Sequence, residues 1–280
     1  SYRTAVVIKE LYKNRFHTVR GLIITLLFLI MPAFAVFDGM VDWSASTGIA
    51  SSAVSSGTKS FWGNPAGILG VQTFGASAQW RREWELDELS TGNIAGVISR
   101  EWGSVSLGGS FTGKSDFYTE SLFGAAYARR VWNIDMGLRA KIGMAKTENW
   151  SASTIILGAG AVYPAGKVVS IGLWADNITM SKIDGNEIPI RSAIGVKYYP
   201  TGWINLHADY YFEGDEKATM RFGQETIIAD VVSIRGGVHF RPNTYHFGLG
   251  FIYNDFELSW SYIAHPELSG SMLVGLEYER

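Results

Sequence analysis

The sequence predicts an all-β protein: a transmembrane antiparallel up-and-down β-barrel of about fourteen strands. Three observations lead there. Segments of about ten residues alternate strictly between apolar and polar, the connections between them alternate in length, and the composition is poor in charge. Only 18% of the residues are charged, while there are 32 glycines and 10 tryptophans. A soluble domain carries ~25% charge to cover its surface. A barrel in lipid meets hydrocarbon outside and packs small residues inside, so it needs less.

Residues 1–20 carry Arg3, Lys9, Lys13, Arg15 and Arg20 against a single acid, Glu10; an apolar run from Gly21 to Pro32 and then Ala33-Phe34-Ala35 follow. A basic region, a short apolar core and an A-x-A site describe a secretory signal peptide cleaved after Ala35. A membrane anchor is the competing reading. Counted through Pro32 to Phe37 the run reaches about 17 residues, at the lower limit for a ~30 Å hydrocarbon core. The expected organisation is therefore a signal peptide at 1–35, a connecting segment at 36–69 and a barrel at 70–280, placed in a bacterial outer membrane.

The strands follow from a period of two. In Ile204-Asn-Leu206-His-Ala208-Asp-Tyr210-Tyr-Phe212 one face is apolar, while Asn205, His207, Asp209 and Tyr211 share the other. Phe256 to Tyr262, Trp132 to Ile142 and Tyr245 to Tyr253 repeat the pattern. Successive side chains of a strand point to opposite faces. A soluble sandwich also alternates, but its strands average ~5–6 residues, and these are longer and end in Trp or Tyr as an interfacial girdle does. Such segments start near residues 70, 91, 103, 119, 131, 153, 168, 190, 203, 217, 231, 244, 255 and 271. Every second connection is expected to be short: 101–103, 129–131, 164–167, 200–202, 229–231 and 254–255. The others, including 82–89, 147–151, 177–189, 213–217 and 265–269, are mostly longer and polar. A sandwich gives no reason for length to follow parity, whereas single-chain barrels join strands by short turns at one end and loops at the other.

Several tempting motifs lack the context their chemistry needs. Gly108-Gly-Ser-Phe-Thr-Gly113-Lys114-Ser115 matches the phosphate-cradling pattern G-x-x-x-x-G-K-S, which requires a strand before it and a helix after it. The following segment, 118–129, reads as another strand, so the match is taken as fortuitous and as an extracellular hairpin. The absence of Cys excludes disulfides, thiolate metal sites and cysteine nucleophiles. A net charge of −2 leaves no basic stripe for nucleic acid. His207, His239 and His246 fall on polar faces at no metal-ligand spacing, so no cofactor or metal is expected. No spacing supports a catalytic triad or a carboxylate pair, and the chain is not expected to be an enzyme.

The candidate lumen residues are Asp135, Arg139, Arg191, His207, Asp209, Arg221, Glu225 and Arg235, with Lys141 and Lys197 on the same faces. They fit either an anionic solute or a paired network that fills the lumen, and the second is preferred because buried charges need partners.

Between the leader and the first strand lies a small-residue segment, Thr47-Gly48 to Gly57-Thr-Lys-Ser-Phe61-Trp62-Gly63, ending in Asn64-Pro65-Ala66-Gly67. This resembles the N-terminal signature of the FadL-like transporters of hydrophobic compounds and of the PorV/PorQ proteins of type IX secretion. Ile171 to Asn177, Arg221 to Glu225, Ser233 to Gly237 and Tyr262 to Pro266 are similar to the PorV/PorQ side. The resemblance implies a fourteen-stranded barrel whose N-terminal segment, residues 36–69, folds inward as a plug with Asn64, Pro65, Ala66 and Gly67 as its motif. Turn chemistry alone also accounts for those four residues. Two functions follow as expectations. The first is a secretion-associated barrel that binds or shuttles exported proteins, with type IX components or exported proteins as partners beside outer-membrane lipid and the insertion machinery. The second is a passive transporter of small hydrophobic compounds.

Overall fold

The computed structural model describes residues 47, 50–53, 57–114 and 118–280. The expected signal peptide, residues 36–46, 48–49 and 54–56 of the expected plug, and Ser115 lie outside the described residues.

The strands are β1 (Phe74–Arg82), β2 (Thr91–Arg100), β3 (Gly103–Lys114), β4 (Tyr118–Val131), β5 (Ile134–Thr147), β6 (Ser151–Pro164) and β7 (Val169–Asp176). Then come β8 (Lys182–Ile183), β9 (Asn186–Glu187), β10 (Arg191–Thr201), β11 (Ile204–Glu213), β12 (Thr219–Ile228), β13 (Val232–His239), β14 (Thr244–Tyr253), β15 (Phe256–Ala264) and β16 (Ser271–Glu279). Fourteen of them pair antiparallel with their neighbours in chain order, and β1 closes the barrel on β16. β8 and β9 form a small separate hairpin within the β7–β10 connection. At the seam Gly75 faces Glu279 and Arg82 faces Met272.

Burial follows parity. In β5 the residues Asp135, Gly137, Arg139, Lys141, Gly143 and Ala145 are buried, while Met136, Leu138, Ile142 and Met144 are exposed. The exposed set across the barrel is large and apolar: Ile94, Leu107, Phe123, Leu173, Phe222, Leu249 and Trp260 all stand outside. This inverts a soluble protein, in which extended apolar patches are rare, and gives the outer wall the character of a lipid contact. No helix among the described residues is long and apolar enough to cross a membrane.

Short turns gather at one end, which we call the turn end, and loops at the other, the loop end. Two expected turns move. Pro200 and Thr201 continue β10, and the chain reverses at Gly202-Trp203. Arg129–Val131 continues β4, and the chain reverses at Trp132-Asn133. Trp132 takes a left-handed φ of 54° there, which a two-residue hairpin demands at its first position. The first strand begins at Phe74, four residues beyond the expected 70, because Pro65–Gly70 forms a 3-10 turn.

Inside the barrel runs a segment with two 3-10 turns, Gly57–Phe61 and Pro65–Gly70. It is almost wholly buried: Phe61, Ala66 and Ile68 have no exposed surface.

Candidate functional site

The wall makes room for the inner segment with glycine. A β-carbon on Gly108 would strike the Phe61 ring, one on Gly137 the backbone of Pro65 and Ala66, and one on Gly160 the Asn64 carboxamide. Gly172 and Gly223 stand in the same way against the backbones of Ser52 and Thr47. The glycine-rich polar faces seen in the sequence are therefore a groove shaped to this segment.

Asn64 is the N-cap of the second turn, with Pro65 at its first position. Its side-chain oxygen accepts from Ala66 N at 3.1 Å. Its Nδ2 donates to the carbonyls of Ser52 (2.7 Å), Ala161 (3.1 Å) and Leu173 (3.2 Å), the last two on β6 and β7. Gly67 N donates back to the Asn64 carbonyl at 3.0 Å. A fixed proline φ and an oxygen-bearing cap start such a turn well. One side chain thus joins two stretches of the inner segment to the wall.

Three polar clusters hold the segment. In the first, Arg139 donates to the carbonyls of Phe61 and Gly63, the latter at 3.0 Å, and pairs with Asp176 at 3.1 Å. Lys141 pairs with the other Asp176 oxygen. In the second, one carboxylate oxygen of Asp209 accepts from Ser51 N and Ser52 N, both at 2.9 Å, and from Ser52 Oγ at 2.6 Å. Arg221 lies over the Tyr211 ring, 3.5 Å from its centre, and Arg191 pairs with Glu213 at 2.7 Å. In the third, Lys59 of the inner segment pairs with Glu257 (3.2 Å) and Glu277, while Arg235 pairs with Glu225 (2.8 Å) and Glu257. Asn205 donates to Glu225 at 3.0 Å. Thr58 N donates to Glu279 at 2.8 Å, and its hydroxyl donates to Glu277. Burial alone would push the Lys59 ammonium down. The Glu277 and Glu257 carboxylates outweigh it and hold its pKa above the ordinary lysine value.

The eight candidates read from the sequence thus face inward but do not converge. Asp135 stands at the turn end and holds Arg130 at 2.6 Å. His207 is buried, with neither ring nitrogen bonded among the described residues. Among those residues no group of three His, Asp or Glu stands where it could hold a metal. Sequence reading missed Lys59, Asp176, Glu213, Glu257 and Glu277. The signal was available for Asp176 in the shared parity of Gly172, Trp174 and Asp176 on β7. The phosphate-loop match runs along β3 from Gly108 to Lys114 and is followed by strand β4.

Beside the first of these clusters lies an apolar column, Ile156 standing directly across from Lys141. Ile68 and Val71 of the inner segment, with Val97 and Ala128 of the wall, form its lower part near the turn end. Phe61, Trp62, Leu122 and Ile156 continue it, and Ile183 and Ile188 of the β8–β9 hairpin region close it near the loop end with Ala145 and Ala152. Asn177 fixes that connection: its Nδ2 donates to the Ile188 carbonyl at 2.6 Å, and its oxygen accepts from Ser181 N at 2.8 Å.

Solved barrels share this arrangement of strands. The chain superposes on a monoaromatic hydrocarbon channel, CymD, with a TM-score of 0.65 and 11% identity, over 89% of this chain and 98% of that one. The architecture is that of the FadL-type barrels. The toluene transporter TbuX of Ralstonia pickettii gives 0.63 and 11%, over 88% and 99%. A FadL homologue of Pseudomonas aeruginosa gives 0.60 and 10%, over 85% and 98%. No family model matches the sequence, and no curated protein matches it. At such identities the likeness establishes the fold.

Proposed function

We propose that this chain is an outer-membrane conduit for small hydrophobic compounds, closed in the form described by its N-terminal segment acting as a plug. The observation that carries the reading is the apolar column of Phe61, Trp62, Val97, Leu122 and Ile156 inside a barrel whose outer wall is already apolar. A barrel stabilised only by its wall has no need of inward apolar surface running from turn end to loop end. A site for an apolar solute requires such a lining with few polar groups. The hydrocarbon channels and toluene transporter that share the fold support the same solute class. The order in which the sequence ranked its two functions is therefore reversed. The secretion-associated reading keeps its sequence resemblance, and no contact in the barrel adds to it.

The test is uptake of a labelled aromatic hydrocarbon into cells lacking their own hydrocarbon channels, with and without this protein in the outer membrane. Faster uptake that saturates supports the conduit. Equal uptake at matched expression, with the barrel shown to be folded by its heat-modifiable migration, refutes it.

A further inference from the structure

The outward face of a membrane barrel should hold no charge where lipid tails touch it, because a charged side chain there is costly. The cost falls away toward the interface, and there, at the turn end, Arg100 and Arg129 stand on the outward face. β2 buries Thr91, Asn93, Ala95, Val97 and Ser99, so Arg100 follows Ile94 and Ile98 on the outer face. β4 buries Glu120, Leu122, Ala126 and Ala128, so Arg129 follows Phe123 and Tyr127 outside.

The register sets the two in one row. Arg100 pairs with Gly103, and Ser104 pairs with Ala128, which brings Arg129 level with Gly103 on its other side. Two strand spacings separate them, roughly 10 Å. The residue between them carries no side chain, and it cannot. Gly103 has a φ of +136°, and a β-carbon there would strike the Ala128 carbonyl and the Tyr127 ring. The Tyr127 ring lies against this glycine, stacks on Trp102 with centres 6.1 Å apart, and donates its hydroxyl to the Trp102 carbonyl at 2.8 Å.

Among the described residues neither arginine meets a carboxylate. Arg100 donates to the carbonyl of Ser99 at 2.8 Å, and Arg129 has no hydrogen bond or ion pair among the described residues. The nearby acids do not serve them: Asp135 is taken by Arg130, and Glu101 stands exposed in the turn. The next turn of the same rim lifts Trp132 clear of the protein, 94% exposed, at the level where tryptophan favours headgroups.

We propose that Arg100 and Arg129, with the Tyr127–Trp102 stack and Gly103 between them, form a binding site for the phosphodiester of one anionic phospholipid in the leaflet at the turn end. Guanidinium groups match a phosphate with paired hydrogen bonds. The stacked rings offer an apolar and hydrogen-bonding floor at the depth where headgroup meets chain. The site rests on the membrane-spanning reading but not on transport.

The test uses the full barrel, purified in mild detergent, stripped of lipid and titrated with short-chain phosphatidylglycerol, phosphatidylcholine of equal chain length, or inorganic phosphate. Native mass spectrometry counts what is bound. One phosphatidylglycerol per barrel is expected, at least tenfold tighter than phosphatidylcholine and undisturbed by equimolar phosphate. Replacing both arginines, Arg100→Gln with Arg129→Gln, is expected to weaken it about 30-fold, from about fivefold per basic residue at an anionic lipid surface. Lys146→Gln, an outward charge at the loop end of β5, should change nothing. Equal affinity for the two lipids, displacement by phosphate, or unchanged binding in the double variant overturns the proposal. Where the double variant does not fold, the lipid preference of the unaltered barrel decides. Recovery of the unaltered chain from the soluble fraction instead of the membrane would remove the membrane reading itself, which is distinguishable from all of these.

Discussion

Asp209→Asn isolates the hold of the wall on the inner segment. The replacement keeps shape and volume and removes only the charge from an oxygen that accepts from Ser51 N, Ser52 N and Ser52 Oγ. Hydrogen bonds to a charged group contribute about 1.5–3 kcal/mol and neutral ones about 0.5–1.5, so each bond weakens by about 1 kcal/mol. The three share one oxygen and do not add fully, which leaves about 2 kcal/mol. With tenfold per 1.4 kcal/mol, the unseated fraction should rise about 30-fold. The chain has no cysteine, so Ala53→Cys, buried in the segment, provides a unique label. The rate of its modification by a maleimide reads the unseated fraction directly. Modification within about twofold of the Ala53→Cys parent, with heat-modifiable migration retained, would refute the claim that Asp209 seats the segment.

Gly137→Val should also raise Ala53→Cys labelling at least ~10-fold while the barrel stays folded, since valine suits a strand but its side chain occupies the space of Pro65 and Ala66. Gly92→Val, with open space around it, should leave labelling unchanged. Replacing Ile183 and Ile188 with serine should loosen the loop-end closure of the column and speed hydrocarbon uptake, measured against the unaltered protein at equal expression; slower uptake would count against the column as the path. Lys59→Met leaves Glu277 buried without its cation, a loss of about 3–5 kcal/mol, so the temperature of heat modification should fall sharply and recover in part on adding Glu277→Gln. The lysine's raised pKa sets the pH window: its contribution is complete below its unfolded value near 10.5 and fades only as pH climbs through the higher folded value. The same temperature should show no loss from Lys59 between pH 7 and 10, and the alkaline fall should shrink in Lys59→Met.

The barrel was legible because a strand's period of two survives every change of neighbour. β2, β3, β14 and β16 begin at the residues where alternation placed them, 91, 103, 244 and 271. Trp132 escaped because its turn uses a bulky residue in a left-handed conformation, which Gly, Asn or Asp would normally announce. The inward direction of Arg139, Asp209 and Arg235 was also legible. Their partners were not: Arg139 reaches Phe61 and Gly63 of the inner segment, and Arg235 reaches past β14 to Glu257 on β15. Parity fixes a face, while the partner on that face depends on strand register and on where the inner segment lies, which no local pattern encodes. Likewise the sequence showed that the polar faces were rich in glycine, but not that Gly137 and Gly160 make room for Asn64 to Ala66.

The seam between β1 and β16 is held from within as well as along its own ladder. Thr58 touches both seam strands, since it lies against Gly75 on β1 and bonds Glu277 and Glu279 on β16. The segment thus adds contacts of its own to both edges of the seam, as a clasp does across a hoop. Damage to its seat should therefore weaken the closure of β1 on β16 as well as the hold on the segment itself.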